Sequence, residues 1–323
     1  MKLRYRVRHR VRLIVAIVFT QLAITAGIVY VVSYSLVDYA LLTDAGKEKL
    51  RNTDELLRER YPNVAEWKDS LEQAGVLCDT FILANDSTRM HAYYVRANKS
   101  TSRTAVIVHG YTDNALYWLP IGYLYGHDLG YNILLPDLRF AGQSGGTHIQ
   151  MGWFDRLDVM QWIGVAGNIF GKNLQIVVHG VSMGGATTMM LSGENTPNSV
   201  KCFVEDCGYS SVWDQFGGEL AKMYLPSFPI LNCASAICRH RYGWSFDEAD
   251  CVSQVMKCHK PMLFIHGDKD TYVPFKMLSK VYDAKPQPKE MWIGRDSEHA
   301  LSYHDHPQEY TSVVAGFVGK YIK

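Results

Sequence analysis

The sequence has no acidic residue before Asp38 and almost no net charge over its whole length. Its 323 residues include 33 lysines and arginines against 32 aspartates and glutamates, which gives a formal charge of +1. Six of the bases lie within the first twelve residues, at Lys2, Arg4, Arg6, Arg8, Arg10 and Arg12. The remaining 27 bases face 32 acids, so the rest of the chain carries −5. Because nucleic-acid binding needs a basic surface, we expect no nucleic-acid partner.

Other features are also missing. There is no internal repeat and no low-complexity run, and the seven cysteines match no zinc-binding spacing. A hydrophobic content of 47% with 20% charged residues is typical of a globular protein and excludes a disordered chain. We therefore predict a folded protein without a metal site and without a cofactor.

A long uncharged segment follows the basic start. Leu13–Val37 contains no charged residue, and 25 helical residues extend over about 38 Å, enough to cross a hydrocarbon core of roughly 30 Å. Bases before the segment and Asp38 after it favour a cytoplasmic N-terminus. We predict that residues 1–37 are a basic tip and a single-pass signal anchor. The rest of the chain is then on the exoplasmic side, whether periplasmic, extracellular or lumenal.

A cleaved signal peptide is the alternative reading of this segment. Such peptides have an apolar region of about 7–15 residues before a site with small residues. The run here is longer, although Ser33-Tyr34-Ser35 resembles a weak cleavage site. Both readings export the body of the protein.

Residues 38–75 are predicted to form a helical stalk. Asn52 and Glu55 have the spacing of a capping box, and so do Asn63 and Glu66. Pro62 should therefore separate two short helices. Helices of this length need tertiary contacts, so we expect them to pack on the body.

From Asp79 onward, short apolar runs alternate with helical stretches. The predicted strands are Phe81–Leu83, His91–Arg96, Ala105–His109, Asn132–Pro136, Gln175–His179, Cys202–Glu205, Met262–His266 and Glu290–Ile293. Such alternation predicts an α/β fold with a mostly parallel eight-stranded sheet covered by helices on both faces. Ligands of these sheets bind beyond the carboxyl ends of the strands.

The residues after one predicted strand form a G-x-S-x-G motif. Gly180-Val181-Ser182-Met183-Gly184 follows Gln175–His179 and precedes a helical stretch. In such an elbow, Gly180 and Gly184 allow a tight turn that exposes the Ser182 hydroxyl. The helix that follows favours a developing negative charge near its N-terminus.

Two further candidates follow later strands. Asp270 comes after Met262–His266, and His299 comes after Glu290–Ile293. A serine nucleophile needs a base, and that base needs an orienting carboxylate. The chain order of serine, aspartate and histidine is that of the α/β-hydrolase arrangement.

These residues and their neighbours resemble the α/β-hydrolase superfamily. The similar motifs are His109-Gly110-Tyr111, Asp137-Leu138-Arg139 with Gly142 and Ser144, the Ser182 elbow, Gly267-Asp268-Lys269-Asp270 and Ser297-Glu298-His299. The resemblance covers residues 76–323. It is greatest to single-pass, membrane-anchored serine hydrolases related to the prolyl-oligopeptidase and serine-aminopeptidase branch. One departure is Phe140, where the family often has glycine.

The resemblance implies a role for each site residue. Ser182 would be the nucleophile, His299 the general base and then acid, and Asp270 the residue that orients His299. The backbone N–H groups of Tyr111 and Met183 would form the oxyanion hole.

Several candidate residues have alternative readings. Asp268 competes with Asp270 and would otherwise hold its loop through hydrogen bonds to the backbone, and Asp206 is a more remote substitute. His109 and His179 more often pack or form hydrogen bonds at strand ends. His304 and His306 lack a third metal ligand at a matching spacing, so we interpret them as solvated.

A break in the alternation predicts a small helical cap at about residues 210–250. This part of the chain is rich in aromatic residues and in the superfamily such an insertion resembles a cap over the nucleophile. In an exported protein, disulfides within or beside the cap would be formed by Cys233, Cys238, Cys251 and Cys258.

We therefore expect a serine hydrolase that cleaves ester, thioester or amide bonds through an acyl-enzyme, with carboxylesterase favoured. Its substrate would be a small-molecule ester or an acylated or peptide substrate. The alternatives are a serine peptidase of the prolyl-oligopeptidase type and a non-catalytic binding protein on a hydrolase fold. No dedicated peptide-binding domain is apparent, and an inactive site commonly lacks a triad member.

Overall fold

A computed structural model gives the fold of residues 2–43 and 45–323. The side chains of residues 1–7, 44, 45, 47 and 48 lie outside the described part of the chain. Three of the N-terminal bases, Lys2, Arg4 and Arg6, are among these.

One eight-stranded sheet organises the described chain, in the order β1-β2-β4-β3-β5-β6-β7-β8. The strands are β1 (Cys78–Leu83), β2 (Arg89–Val95), β3 (Arg103–Val108), β4 (Asn132–Pro136), β5 (Gln175–Val181), β6 (Val200–Asp206), β7 (Met262–Gly267) and β8 (Lys289–Gly294). The pairs β1–β2 and β2–β4 are antiparallel, and the other five pairs are parallel. The predicted fold class and all eight predicted strands are confirmed.

Three helices precede the first strand, and the others lie between the strands or after the last one. The helices are α1 (Lys2–Leu41), α2 (Ala45–Arg60), α3 (Pro62–Gln73), α4 (Leu119–Tyr123), α5 (Asp155–Phe170), α6 (Met183–Ser192), α7 (Val212–Lys222), α8 (Ser227–Tyr242), α9 (Cys251–Val255), α10 (Lys276–Ala284), α11 (Ser302–Asp305) and α12 (Pro307–Tyr321). A short 3₁₀ turn (Leu116–Trp118) and a π turn (Leu124–Asp128) flank α4.

Helices cover both faces of the sheet, as the apolar strands predicted. Ala105 and Ile107 of β3 belong to one buried cluster with Val64 of α3 and Val314 of α12. Alternate strand residues point to opposite faces, so Val108 faces the other side, where it is equally buried. Helix α6 packs on that second face, because a Cβ on Gly184 would overlap the Val108 carbonyl group.

The stalk helices begin at other residues than the capping pattern predicts. Helix α2 runs through Asn52 without interruption, and Tyr61, rather than Asn63, caps α3. Both capping-box predictions are therefore wrong. The physical reason is Pro62, which has the φ of a helix and no N–H to satisfy, and so begins α3 itself. The prediction that Pro62 separates two helices is confirmed.

The chain forms two compact units. One contains Met1–Ala40 and Phe216–Ser245, and the other contains Leu41–Gln215 and Phe246–Lys323. In the first unit, Arg8–Leu41 is long and apolar enough to cross a membrane, with a mean hydropathy of 2.2 over an 18-residue window that is not buried in protein.

No disulfide links the predicted cap. None of the seven cysteines forms a disulfide, and five of them are buried. Cys233 and Cys238 lie on α8, while Cys251 begins α9. None of the four cysteines proposed for the cap forms a disulfide.

Candidate active site

Ser182 occupies a strained turn between β5 and α6. Its φ is 58° and its ψ is −120°, a conformation that is rare for a residue with a Cβ atom. The turn packs so closely that a Cβ on Gly180 would overlap the Gly184 carbonyl oxygen, and a Cβ on Gly184 would overlap the Val108 carbonyl oxygen. The two glycines of the motif are therefore required by close approach of the backbone.

The structure brings the three predicted triad residues together. Ser182 Oγ is 2.8 Å from His299 Nε2, and His299 Nδ1 is 2.6 Å from Asp270 Oδ2. These residues follow β5, β8 and β7, whose carboxyl ends meet at one edge of the sheet because the strands are parallel. The strand order therefore brings together Ser182 and His299, which are 117 residues apart in the chain, and Asp270 and His299, which are 29 apart.

Asp270 is held as an ionised acceptor. Its Oδ1 accepts hydrogen bonds of 2.9 Å from the backbone N–H groups of Tyr272 and Val273. Burial opposes ionisation, but hydrogen bonds from His266 and His299 outweigh it and lower the pKa of Asp270 to about 2. The carboxylate therefore stays charged wherever the protein is folded near neutral pH.

His266, at the end of β7, is a site residue that the sequence did not single out. Its Nε2 lies 3.0 Å from the Val273 carbonyl oxygen and 3.2 Å from Asp270 Oδ2. Because both partners are acceptors, Nε2 carries the proton and donates to them. The sequence feature that could have identified His266 is its position near the end of a predicted strand, four residues before Asp270.

The two residues predicted for the oxyanion hole flank Ser182. Met183 is the first residue of α6, where backbone N–H groups have no partner within the helix. Tyr111 follows β3 and lines the same pocket as Ser182. Its neighbour Gly110 lies so near that an added Cβ would be 3.4 Å from Ser182 Cβ.

The competing aspartates have other partners. Asp268 Oδ1 accepts a 2.8 Å hydrogen bond from the Asp296 backbone N–H, and its Oδ2 lies 3.2 Å from Arg295. Asp268 therefore holds its loop through hydrogen bonds, which was the alternative role considered for it. Asp206 accepts a 2.9 Å hydrogen bond from the Tyr310 hydroxyl. Neither occupies the place of Asp270 beside His299.

His109 and His179 form hydrogen bonds in the core, as their alternative reading predicted. Leu138 N–H donates to His109 Nε2 at 2.9 Å, and His109 Nδ1 donates to the Gly110 carbonyl oxygen at 2.8 Å. His179 lies between the hydroxyls of Tyr125 and Tyr310. Burial lowers the pKa of His179 to about 3.

The other titratable groups do not fit a metal. His306 is bonded to a backbone carbonyl and His304 to Asp305. Among the described residues, Cys207 Sγ, Asp270 and His299 do lie within 4.8 Å of one another. Burial raises the pKa of the Cys207 thiol well above its usual range, and Asp270 and His299 are hydrogen-bonded to each other.

Phe140 has the backbone conformation of the glycine that it replaces. Its φ is 62°, in the left-handed region, and its N–H donates to the Gly145 carbonyl oxygen at 2.8 Å. The loop is anchored by Asp137, whose oxygens accept from the N–H groups of Ala115 and Gln143. The substitution therefore leaves the loop formed and puts strain in it.

A pocket of about 350 Å³ opens at Ser182 and His299. Its walls include Tyr111, Tyr117, Trp118 and Tyr272, so it is largely aromatic. Two cationic residues of α2, Lys49 and Arg60, also line it. The stalk sequence thus contributes directly to the site.

Comparison with known proteins decides the family. The sequence model described as alpha/beta hydrolase fold matches residues 105–231. The chain is 32% identical to the uncharacterized protein YqkD of Bacillus subtilis over 227 residues, which are 70% of this chain and 74% of that protein. The chain belongs to the alpha/beta-hydrolase family. This confirms the resemblance drawn from the motifs and supports a hydrolytic activity.

Two further proteins of this family are similar to the chain. The lysophosphatidylserine lipase ABHD12 of Danio rerio is 28% identical over 169 residues, covering 50% of this chain and 42% of that one. The solved esterase Pf2001 of Pyrococcus furiosus has a TM-score of 0.63 and 21% identity, covering 78% of this chain and 96% of the esterase chain. At that identity, the esterase shows the shared fold.

Proposed function

We propose that the protein is a serine hydrolase that cleaves carboxylic esters, or the related thioesters and amides, through an acyl-enzyme. The observation that carries the proposal is the hydrogen-bonded series Ser182–His299–Asp270, with heavy-atom distances of 2.8 and 2.6 Å. Such a series gives a weakly nucleophilic hydroxyl a base and gives that base a fixed orientation.

The proton positions follow from the acceptors. Ionised Asp270 accepts from His299 Nδ1–H, which leaves Nε2 free to take the Ser182 proton. Ser182 Oγ then attacks the substrate carbonyl, and protonated His299 passes its proton to the leaving group. Water attacks the acyl-enzyme with His299 again acting as base.

The tetrahedral intermediate needs donors for its oxyanion. The N–H groups of Met183 and Tyr111 are our candidates, because one begins α6 and the other lines the pocket beside Ser182. A donor of this kind contributes roughly 3–4 kcal/mol to the transition state. The helix N-terminus adds a favourable field.

An ester is the favoured substrate class. The similar proteins with named activities include a lipase and an esterase, and also an acylaminoacyl peptidase of Pyrococcus horikoshii, of whose length the chain covers 42%. The described chain contains the hydrolase sheet and the α7–α8 insertion and no dedicated peptide-binding domain. Ester cleavage is therefore our first choice over peptide cleavage.

A fluorophosphonate probe tests the proposal, since it labels an activated serine. The full chain in detergent should be labelled, and Ser182→Ala should lose all labelling. Ser279→Ala is the control, because Ser279 lies on the exposed side of α10 and should leave labelling unchanged. A folded wild-type protein that is not labelled at Ser182 would sink the proposal.

We further propose that α1 anchors the protein with its N-terminus in the cytoplasm and the hydrolase on the exoplasmic side. The support is the apolar span Arg8–Leu41 with bases before it. Protease added to intact cells should then cleave the chain beyond residue 41. Full protection, with cleavage after lysis, would reverse this orientation.

A further inference from the structure

Two cationic side chains line the site pocket, and one of them has no ionic partner among the described residues. Lys49, on α2, forms an ion pair with Asp113, and its Nζ lies 3.8 Å from the centre of the Tyr117 ring. Arg60, at the end of the same helix, contacts only a neutral group in this pocket, with its Nη1 3.3 Å from the Tyr117 hydroxyl. Among the described side chains, no carboxylate forms an ion pair with Arg60.

Its neighbour Arg58 shows the contrast. The Arg58 guanidinium lies 2.9 Å from Asp54 and 2.8 Å from Asp69, and it does not line the pocket. The Lys49–Asp113 pair is neutral overall, so Arg60 leaves the pocket with an uncompensated positive charge. A guanidinium matches carboxylate and phosphate oxygens through paired hydrogen bonds.

We propose that Arg60 recognises an anionic group, a carboxylate or a phosphate, on the ester substrate. The proposal rests on the esterase function proposed above and adds the substrate class. The stalk helix α2 thereby acts as a specificity element of the site.

Turnover tests this with pairs of esters that differ by an anion. Monomethyl succinate against methyl butyrate places a carboxylate on the acyl side, and butyryl glycerol phosphate against butyryl glycerol places a phosphate on the alcohol side. The wild type should favour the anionic member of at least one pair in kcat/KM. Arg60→Gln should reduce that preference by about tenfold or more, since charge-assisted hydrogen bonds are strong. Arg60→Lys should retain part of it.

Arg58→Gln is the matched control and should leave the ratio unchanged. Calorimetry measures binding of the same esters to Ser182→Ala, in which no turnover occurs. Failure of the anion proposal can therefore be distinguished from failure of the proposed esterase function. A wild type with no anion preference in binding or turnover, or a preference that survives Arg60→Gln, would overturn the proposal.

A second surface, in the unit of α1 and α8, carries another inference, which rests on the membrane anchor proposed above. Along α1, the side chains from Arg8 to Val32 are exposed or half-exposed, and Ser33 is the first buried one. Twenty of the exposed residues match a hydrocarbon core of roughly 30 Å at about 1.5 Å each. Contacts with protein therefore begin where the apolar span has the length of a membrane crossing.

Helix α8 meets α1 at this point. Ser33 Oγ donates to the Ile230 carbonyl oxygen at 2.9 Å, and Arg241 lies 2.6 Å from Asp38. The order of contacts is the same along both helices, so the start of α8 lies toward the apolar span. The connection from α7 to α8 and the first turn of α8 carry three exposed large apolar side chains, Met223, Tyr224 and Phe228, with Tyr224 96% and Phe228 77% exposed.

The geometry points to the lipid bilayer as the partner of this turn. The apolar part of α1 ends beside the first turn of α8, which continues the same surface, and tyrosine favours the membrane–water interface. The turn therefore lies in the interface and holds the cap residues at the membrane.

A photoreactive benzoylphenylalanine at position 224 tests this in the full chain in phosphatidylcholine nanodiscs. Irradiation should give lipid adducts by mass spectrometry, and position 228 should do so too. Position 240, where His240 is exposed near the far end of α8, is the control and should give none. Equal adducts at 240, no lipid adduct at 224 and 228, or cross-links to a second copy of the chain would overturn the assignment.

Discussion

Two imidazoles contact the carboxylate of Asp270. One belongs to His299, which also reaches Ser182, and the other belongs to His266. It donates to Asp270 Oδ2 at 3.2 Å and to the Val273 carbonyl oxygen at 3.0 Å. Through these bonds it fixes the carboxylate and helps to keep its pKa at about 2. We interpret His266 as a positioning residue, because it contacts Asp270 rather than the pocket.

Substitution of His266 is expected to lower kcat more than it changes KM. His266→Phe removes the donor, so Asp270 and His299 lose their fixed geometry and kcat should fall about 10- to 100-fold. His266→Gln, whose amide N–H can donate in the same place, should recover much of this. Steady-state kinetics with a neutral ester provide the measurement. Equal losses for both variants would mean that the ring only fills space.

Phe140 is strained by its left-handed backbone conformation, and this gives a second prediction. Phe140→Gly should be more stable than Phe140→Ala by about 1 kcal/mol, because a Cβ is disfavoured at φ 62°. Both variants remove the ring, so its contacts cancel in the comparison. Thermal unfolding in detergent measures the difference. An alanine variant as stable as the glycine variant would show that the loop relaxes.

At the scale of elements, the elbow depends on how closely α6 approaches the strands. A Cβ on Gly184 would overlap the Val108 carbonyl oxygen, whereas a Cβ on Gly164 of α5 would meet nothing within 4 Å. The two helical glycines thus differ in their surroundings and not in their secondary structure. Only the first is required by packing.

We expect opposite effects from these two glycines. Gly184→Ala should destabilise the protein by several kcal/mol and abolish labelling of Ser182, because backbone atoms must move. Gly164→Ala should stabilise it by up to about 1 kcal/mol, since alanine is the better helix former. Unfolding midpoints and probe labelling check both. A folded, labelled Gly184→Ala variant would contradict the packing argument.

The elements were predictable to different degrees. All eight strands follow from short apolar runs, because a parallel strand is buried on both faces wherever it lies. Helix starts in the stalk did not follow from capping residues, because Pro62 begins α3 and α2 has already begun at Ala45, before Asn52. Local patterns therefore give element type better than element boundaries.

At the scale of the whole molecule, buried carboxyl groups couple folding to pH. Burial, together with the neighbouring charge of Asp158, raises the pKa of Asp155 to about 7. The folded state therefore binds more protons than the unfolded state between about pH 4 and pH 7. In that window the free energy of unfolding falls as pH rises.

Asp155→Asn should remove this contribution. The Asn side-chain oxygen can still accept the hydrogen bond from Gly152 N–H, which is 2.8 Å long in the wild type. Relative to the wild type, the free energy of unfolding of the variant should rise by about 1 kcal/mol for each pH unit across this window. Thermal unfolding from pH 4 to pH 8 is the measurement, with Asp128→Asn on the surface as the control. Parallel pH curves for Asp155→Asn and the wild type would refute the assignment.

The sequence by itself determined the order of the strands and helices, the apolar N-terminal segment and the three strand-end residues Ser182, Asp270 and His299. Each depends on a local pattern, either periodicity or a short motif. Only the tertiary structure decided which aspartate faces His299, that His266 supports it, and that Arg60 of the stalk reaches the pocket. These depend on contacts between residues far apart in the chain, such as the 117-residue separation of Ser182 and His299, which are fixed by strand order and helix packing.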